Sequence, residues 1–159
     1  MAGISAQTEP SQHLTFQLGA EEYGIEILKV QEIRGYAGVT PIPNTPAYIL
    51  GVMNLRGTVI PVVDLRTRFA MPNQEYSKFT VIVVVTVCDK VIGLVVDAVS
   101  DVLDVLPSQV RERPDMGART DMRFIGGMAT VGEKLVVLLD IERLLGEDDL
   151  QSAAGTIAA

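Results

Sequence analysis

The sequence predicts an all-β chain built from two related small barrels. Three observations carry that expectation. Apolar residues make up 48% of the 159 positions, with valine and isoleucine prominent, only 5% aromatic residues and no tryptophan. Such β-branched side chains suit a pleated, half-buried surface. Short apolar runs, alternating or continuous, are punctuated by turns that carry Gly, Asn or Asp. The third observation is that the chain repeats itself. Under a shift of 76 positions YILGVMNLRGTVIPVVDL (48–65) lies on FIGGMATVGEKLVVLLDI (124–141) without a gap, matching Gly51 with Gly127 and Asp64 with Asp140. Under a shift of 69, YGIEILKVQEI (23–33) lies on IGLVVDAVSDV (92–102), matching Gly24 with Gly93 and Ile33 with Val102.

The repeat divides the chain into two all-β lobes of roughly 65 residues, within the size at which small domains fold. Five or so short strands per lobe, with glycine turns and few helices, fit an SH3-like barrel. The expected layout is a polar, disordered tail over 1–13 and a folded domain over 14–146. Subdomain one covers about 14–78 and subdomain two about 79–146, with strand exchange between them allowed, and a second disordered tail covers 147–159.

The elements follow in order. Leu14, Phe16 and Leu18 alternate with polar residues, and Tyr23 to Ile27 returns after a turn at Gly19–Glu22, a hairpin. His13, the single histidine, reads as a solvated surface residue. Leu28 to Arg34 carries Leu28, Val30 and Ile33, and prolines 41, 43 and 46 mark the loop after it. Tyr48 to Asp64 is a pair of strands joined by Asn54-Leu55-Arg56-Gly57. Pro61 cannot donate to a ladder, so its strand is expected at an edge or a bulge. Leu65 to Phe69 starts a short helix or turn. Phe79 to Cys88 and Val91 to Asp97 form a second hairpin turned at Asp89-Lys90. Pro107 to Arg123 is a long charged loop, of a length that is usually functional. Phe124 to Asp140 is a third hairpin, and Ile141 to Leu145 a short helix ended by Gly146.

Charge and composition exclude several functions. A net charge of −7 opposes nucleic acid and anionic membrane surfaces as partners. No apolar run is longer than that from Val81 to Val85, far short of a membrane span, and the N-terminus lacks the basic and apolar regions of a signal peptide. Cys88, the lone cysteine, is expected in an apolar strand and fits a reducing, cytoplasmic setting. No phosphate loop, GxSxG or metal-ligand spacing is present, so no enzyme, cofactor or metal is expected. The acids Asp64 and Asp140 end equivalent strands and read as turn caps.

The repeat isolates one stretch. Asn54-Leu55-Arg56-Gly57 in the first lobe corresponds to Thr130-Val131-Gly132-Glu133 in the second, and the strands on both sides match. A turn needed only for folding does not require Leu-Arg at its centre. Two readings of Arg56 stay open from the residues: it pairs locally with a carboxylate and shapes its loop, or it serves a binding site.

VQEIRGY (30–36), NTPAYILGVMNLRGTVIPVVDLRTRF (44–69) and FIGGMATVGEKLVVLLDIERLL (124–145) closely resemble the CheW family of bacterial chemotaxis coupling proteins, over about residues 14 to 146. The resemblance implies two five-stranded SH3-like barrels side by side and a non-enzymatic adaptor. Its partners would be the regulatory domain of the histidine kinase CheA and the cytoplasmic tips of methyl-accepting chemotaxis receptors. It would be cytoplasmic, recruited to receptor arrays, and monomeric when free. Carried over by position, the receptor-binding groove would include Val30, Glu32, Gly51, Arg56, Gly57 and Val102. The kinase-binding patch would include Val39, Thr40 and Ile42, with Arg111 and Met116 as a second, ring-closing contact. The family often has a larger apolar residue where Met116 stands. Core packing is an equal reading of Val30 and Val102. Other readings are a CheW-like adaptor of another pathway, such as surface motility, an SH3- or OB-like nucleic-acid binder, and a small hydrolase. The charge opposes the binder, and the missing nucleophile opposes the hydrolase.

Overall fold

The computed structural model describes residues 11–37, 39–69, 71, 76–111 and 125–144. Eleven strands appear among them. Hairpin β1 (Ser11–Leu18) and β2 (Glu21–Glu26) leads through a 3₁₀ turn at Ile27–Lys29 into β3 (Val30–Gly35). Then follow β4 (Ile49–Leu55), β5 (Thr58–Asp64) and the one-turn helix α1 (Leu65–Arg68). The second half has β6 (Val81–Val87), β7 (Lys90–Val96), β8 (Ala98–Val105), the two-residue β9 (Val110–Arg111), β10 (Ile125–Val131), β11 (Lys134–Leu139) and a second one-turn helix, α2 (Ile141–Leu144). The expected all-β class with a short C-terminal helix is what the chain adopts.

The strands form two sheets, ordered β8-β1-β2-β11-β10-β9 and β3-β6-β7-β5-β4. Each sheet therefore takes its central hairpin from one half of the chain and its other strands from the other half. The repeat carries through to the register. In the first sheet β2 runs parallel to β11 with Gly24 opposite Leu138; in the second β5 runs parallel to β7 with Val62 opposite Gly93. These pairs coincide under the shifts of 69 and 76. The bulges coincide too: the register slips between Val30 and Glu32 on β3 and opposite Ser100 on β8.

Three cores result. The largest lies between the sheets and draws Leu14, Phe16, Leu18 and Ile25 together with Val83, Val85, Val87 and Leu94. A second, inside the five-stranded sheet, holds Met53, Leu55, Ile60, Val62, Ile82, Val84 and Val95. Strand β6 reads as an unbroken apolar run because its two faces enter different cores. The third, inside the other sheet, is smaller: Val105, Ala129, Val136 and Leu138. Where Ile82 and Val95 fill the second core, the equivalent positions here carry His13 and Glu26, which line a hollow of about 360 Å³.

Several expectations are corrected. His13 is not on the surface; it is buried within β1. Ser11 to His13 are strand rather than tail, because they pair with Asp104, Leu103 and Val105 of β8. The tail residues 1–10 and 147–159, Gly146 and the whole loop after Arg111, with Met116, lie outside the described residues. The start of that loop is not irregular: Pro107–Gln109 is a 3₁₀ turn and Val110–Arg111 pairs with β10. The turn of the second hairpin is Cys88–Asp89, with φ of 51° and 63°, the mirror-image geometry that matches strand twist. Cys88 is thus exposed at a turn instead of lying within a strand. Strand β5 is interior, but its ladder with β7 begins only at Val62, so Pro61 has β4 alone beside it.

Candidate functional site

The joint between β4 and β5 is tighter than its four-residue motif suggests. Asn54 and Leu55 still belong to β4, and the turn is Arg56–Gly57, with φ of 52° and 89°. The Asn54 Oδ1 accepts the Gly57 N–H at 2.7 Å and closes the turn. A left-handed backbone costs an L-residue on the order of 1 kcal/mol. The other half uses glycine at the equivalent place, Gly132, with φ of 63°. Arg56 therefore stands where the backbone itself favours glycine.

The guanidinium meets Glu32. Nη2 donates to Oε2 at 2.7 Å, and Nη1 donates to Oε2 at 3.1 Å and to Oε1 at 3.4 Å. Glu32 lies on β3 and Arg56 beside β4, the two outermost strands of the five-stranded sheet, so the pair bridges the edges of a strongly curled sheet. The bulge at Gln31 sets the direction of Glu32. A second cation, Arg34 Nη1, lies 3.7 Å from Glu32 Oε1. The Arg56 side chain remains 65% exposed, with Glu32 at 27%. The result is an oriented cation whose fork is partly occupied and whose face is open to solvent.

The remaining candidates separate into groups. Val30 is half-buried and packs on the core between the sheets. Val102 lies on β8, an edge strand of the other sheet, and is 44% exposed. Its repeat counterpart Ile33 has the same exposure, on edge strand β3. Ile33 and Arg34 are absent from the sequence-derived set; the match of Ile33 with Val102 under the 69-residue shift was the signal for the first.

Gly51 does not join Arg56. It is buried beneath the segment that crosses β4, and a Cβ there would lie 2.0 Å from the Thr40 carbonyl oxygen. Thr40 pairs with Val52, its N–H donating at 2.8 Å and its carbonyl accepting at 2.9 Å. Gly51 thus seats the Val39–Ile42 segment. Thr40 is exposed, Ile42 is half-buried, and Val39 packs against the inner core of its sheet. Arg111 pairs with Met128 as Thr40 pairs with Val52, and a Cβ on Gly127 beneath it would lie 3.2 Å from the Arg111 carbonyl oxygen. Because Val52 and Met128 match in the repeat, Thr40 and Arg111 occupy equivalent edge positions, one per sheet.

The strand-end acids are caps. Asp64 Oδ1 accepts the Arg66 N–H at 2.9 Å and Oδ2 accepts the Tyr76 hydroxyl at 2.6 Å. Burial, followed by that hydrogen bond, pushes the Tyr76 phenol well above its ordinary 10.0. Asp140 Oδ1 accepts the Arg143 N–H at 3.3 Å. Among the described residues no group of three or more His, Cys, Asp or Glu could hold a metal ion, and no helix is long and apolar enough to cross a membrane.

Comparison with known proteins identifies the architecture. A chemotaxis protein CheW of Klebsiella aerogenes is 44% identical over 147 residues, spanning 92% of this chain and 89% of that one. A chemotaxis protein CheW of Rhizobium meliloti is 35% identical over 154 residues, 92% and 99% of the two chains. The crystal structure of the scaffolding protein TtCheW from Thermoanaerobacter tengcongensis superposes with a TM-score of 0.81 at 32% identity, covering 88% of this chain and 95% of that one. The family described as CheW-like domain matches residues 12–149. With matching sheets, matching length and this family match, the chain belongs to the CheW-like domain family.

Proposed function

We propose that this protein is a chemotaxis adaptor that couples methyl-accepting receptors to the histidine kinase CheA, without catalysis of its own. The observation that carries the reading is the Arg56–Glu32 pair, an oriented, solvent-facing cation at a turn whose repeat counterpart is glycine. Glu32, Arg56 and Gly57, with Arg34 and Ile33 beside them, form the receptor-binding surface. The Val39–Ile42 segment, seated by Gly51, is the kinase-binding surface. Arg111, at the equivalent edge of the other sheet, provides the second kinase contact. The names of the relatives support chemotaxis, and the acidic net charge accords with protein rather than nucleic-acid partners.

The test is reconstitution of pure protein with CheA and receptor-bearing membranes. Kinase activity should rise only when all three are present. Failure to bind either the kinase regulatory domain or a receptor tip peptide overturns the reading. A second reading is an adaptor of another chemosensory pathway, such as one for surface motility. The relatives are not all named CheW: one named Protein FrzA, from Myxococcus xanthus, is 29% identical over 150 residues. The same reconstitution with the receptors and kinase of each pathway separates the two.

A further inference from the structure

Each sheet holds one hairpin from the opposite half of the chain, although both hairpins meet the parallel neighbour in the same register. The backbone by itself makes the two hairpins interchangeable. Two ion pairs do not. In the first sheet Lys29, on the crossover from β2 to β3, donates through Nζ to Glu142 of α2 at 2.8 Å. In the second, Asp97, on the crossover from β7 to β8, meets Arg66 Nε of α1 at 3.2 Å. Glu142 and Arg66 are equivalent under the 76-residue shift. Lys29 and Asp97 lie one position apart under the 69-residue shift. The clips therefore join the same two places in each half, with opposite polarity.

We propose that this charge inversion specifies which hairpin enters which sheet. Were each hairpin to join the strands of its own half, Lys29 would face Arg66 and Asp97 would face Glu142, turning two attractions into two repulsions. The surroundings reinforce the sorting. Lys29 lies among the carboxylates of Glu142, Glu26 and Asp140. In the alternative pairing Glu26 leaves with its hairpin, and Asp97 would join Glu142 and Asp140 as a third acid there. At its own place Asp97 Oδ2 instead accepts the Gly19 N–H at 2.8 Å and Oδ1 meets the buried Arg66, whose guanidinium lies 5.2 Å from the centre of the Tyr76 ring. The clips act as repulsive selection against the alternative pairing as well as attraction in the native one.

The test reverses one clip only, with Lys29→Glu and Glu142→Lys together. The native contact survives with its charges exchanged, but the acid placed at 29 also faces Glu26 and Asp140, so the thermal melt should fall by a few degrees at most. Both crossovers are now acidic and both helices basic, and electrostatics no longer distinguishes the pairings. The variant and the parent are unfolded in urea and refolded. The monomers are isolated by gel filtration, treated with a zero-length carbodiimide coupler and digested for mass spectrometry. The parent should give a 29–142 isopeptide. The variant should give that product and a 97–142 isopeptide, through the lysine introduced at position 142. The population of the alternative pairing should rise on the order of tenfold over the parent, because its two like-charge contacts become opposite-charge ones. A refolded variant that yields the 29–142 product alone, with parental refolding yield, overturns the proposal and assigns the sorting to packing.

Discussion

Replacing Arg56 by alanine separates the two readings of this residue. The stability cost is bounded by the geometry. The pair is charge-assisted, with a shortest contact of 2.7 Å, but the guanidinium is 65% exposed. An exposed pair contributes about 0–1 kcal/mol. For a chain of this length that is a drop of at most about 4 °C in melting temperature. Alanine keeps the left-handed backbone, whereas Arg56→Gly relieves roughly 1 kcal/mol of it and offsets the lost pair. The glycine variant should therefore melt at or above the parental temperature. Coupling should behave differently. An arginine at an interface hot spot is worth about 2 kcal/mol or more, which exceeds tenfold in affinity. Receptor-stimulated kinase activity should fall by that order in both variants, and Arg56→Lys should recover only part of it because an ammonium lacks the fork. The assay is reconstituted kinase activity beside thermal unfolding for each variant. Full coupling in Arg56→Ala, or a loss of several kcal/mol of stability in Arg56→Gly, would refute this assignment.

Four further outcomes follow from the same structure. Exchanging the charges with Glu32→Arg and Arg56→Glu should restore less coupling than the pair alone predicts, because Arg34 then faces a like charge, and adding Arg34→Ala should improve it; activity of the triple variant no better than the double would count against this. Gly51→Ala should destabilise by at least about 2 kcal/mol and weaken kinase binding, since the added methyl collides with the Thr40 carbonyl at a φ of 153°; urea unfolding and a binding titration measure both. Ile42→Asp should weaken kinase binding while sparing receptor-tip binding, whereas Val39→Asp should also lower the melting temperature because Val39 packs on the inner core, and equal loss of both affinities in Ile42→Asp would remove the segment from the kinase surface. Tyr76→Phe should cost about 1–3 kcal/mol by depriving buried Asp64 of a donor. Because the folded-state phenol is raised above its ordinary value, its contribution is intact below pH 10 and is lost as pH rises toward the raised value, so parent and variant should converge in stability only in strong alkali.

Much of the fold was legible because it rests on local periodicity. Strand β6 was visible as an unbroken apolar block, β1 as an alternating one, and the third hairpin as a shifted copy of the one that carries Arg56. The repeat shifts of 76 and 69 relate the two parallel pairings to each other residue for residue, but neither pairing was readable from the sequence. Local sequence does not encode what lies across a sheet. His13 looked like a lone polar residue next to a tail, and only the pairing of Ser11–His13 with β8 buried it. Cys88 was assigned to a strand because its neighbours are apolar, while the mirror-image turn falls on Cys88 and Asp89.

The sequence by itself determined that the chain is all-β, that it is built from two related halves, and that Arg56 breaks the likeness between them. Only the tertiary structure decided which strands keep company. The two hairpins meet a parallel neighbour in the same register, so the backbone ladder alone does not choose between them, although β1 alternates where β6 is continuously apolar. Long-range packing between the sheets and the side chains at the crossovers choose between them. The same curling of the sheet brings β3 to the end of β4 and sets Glu32 against Arg56, a contact across 24 positions of chain. It also makes Thr40 and Arg111 counterparts, because each is placed by a strand partner whose identity exists only once the sheets have formed.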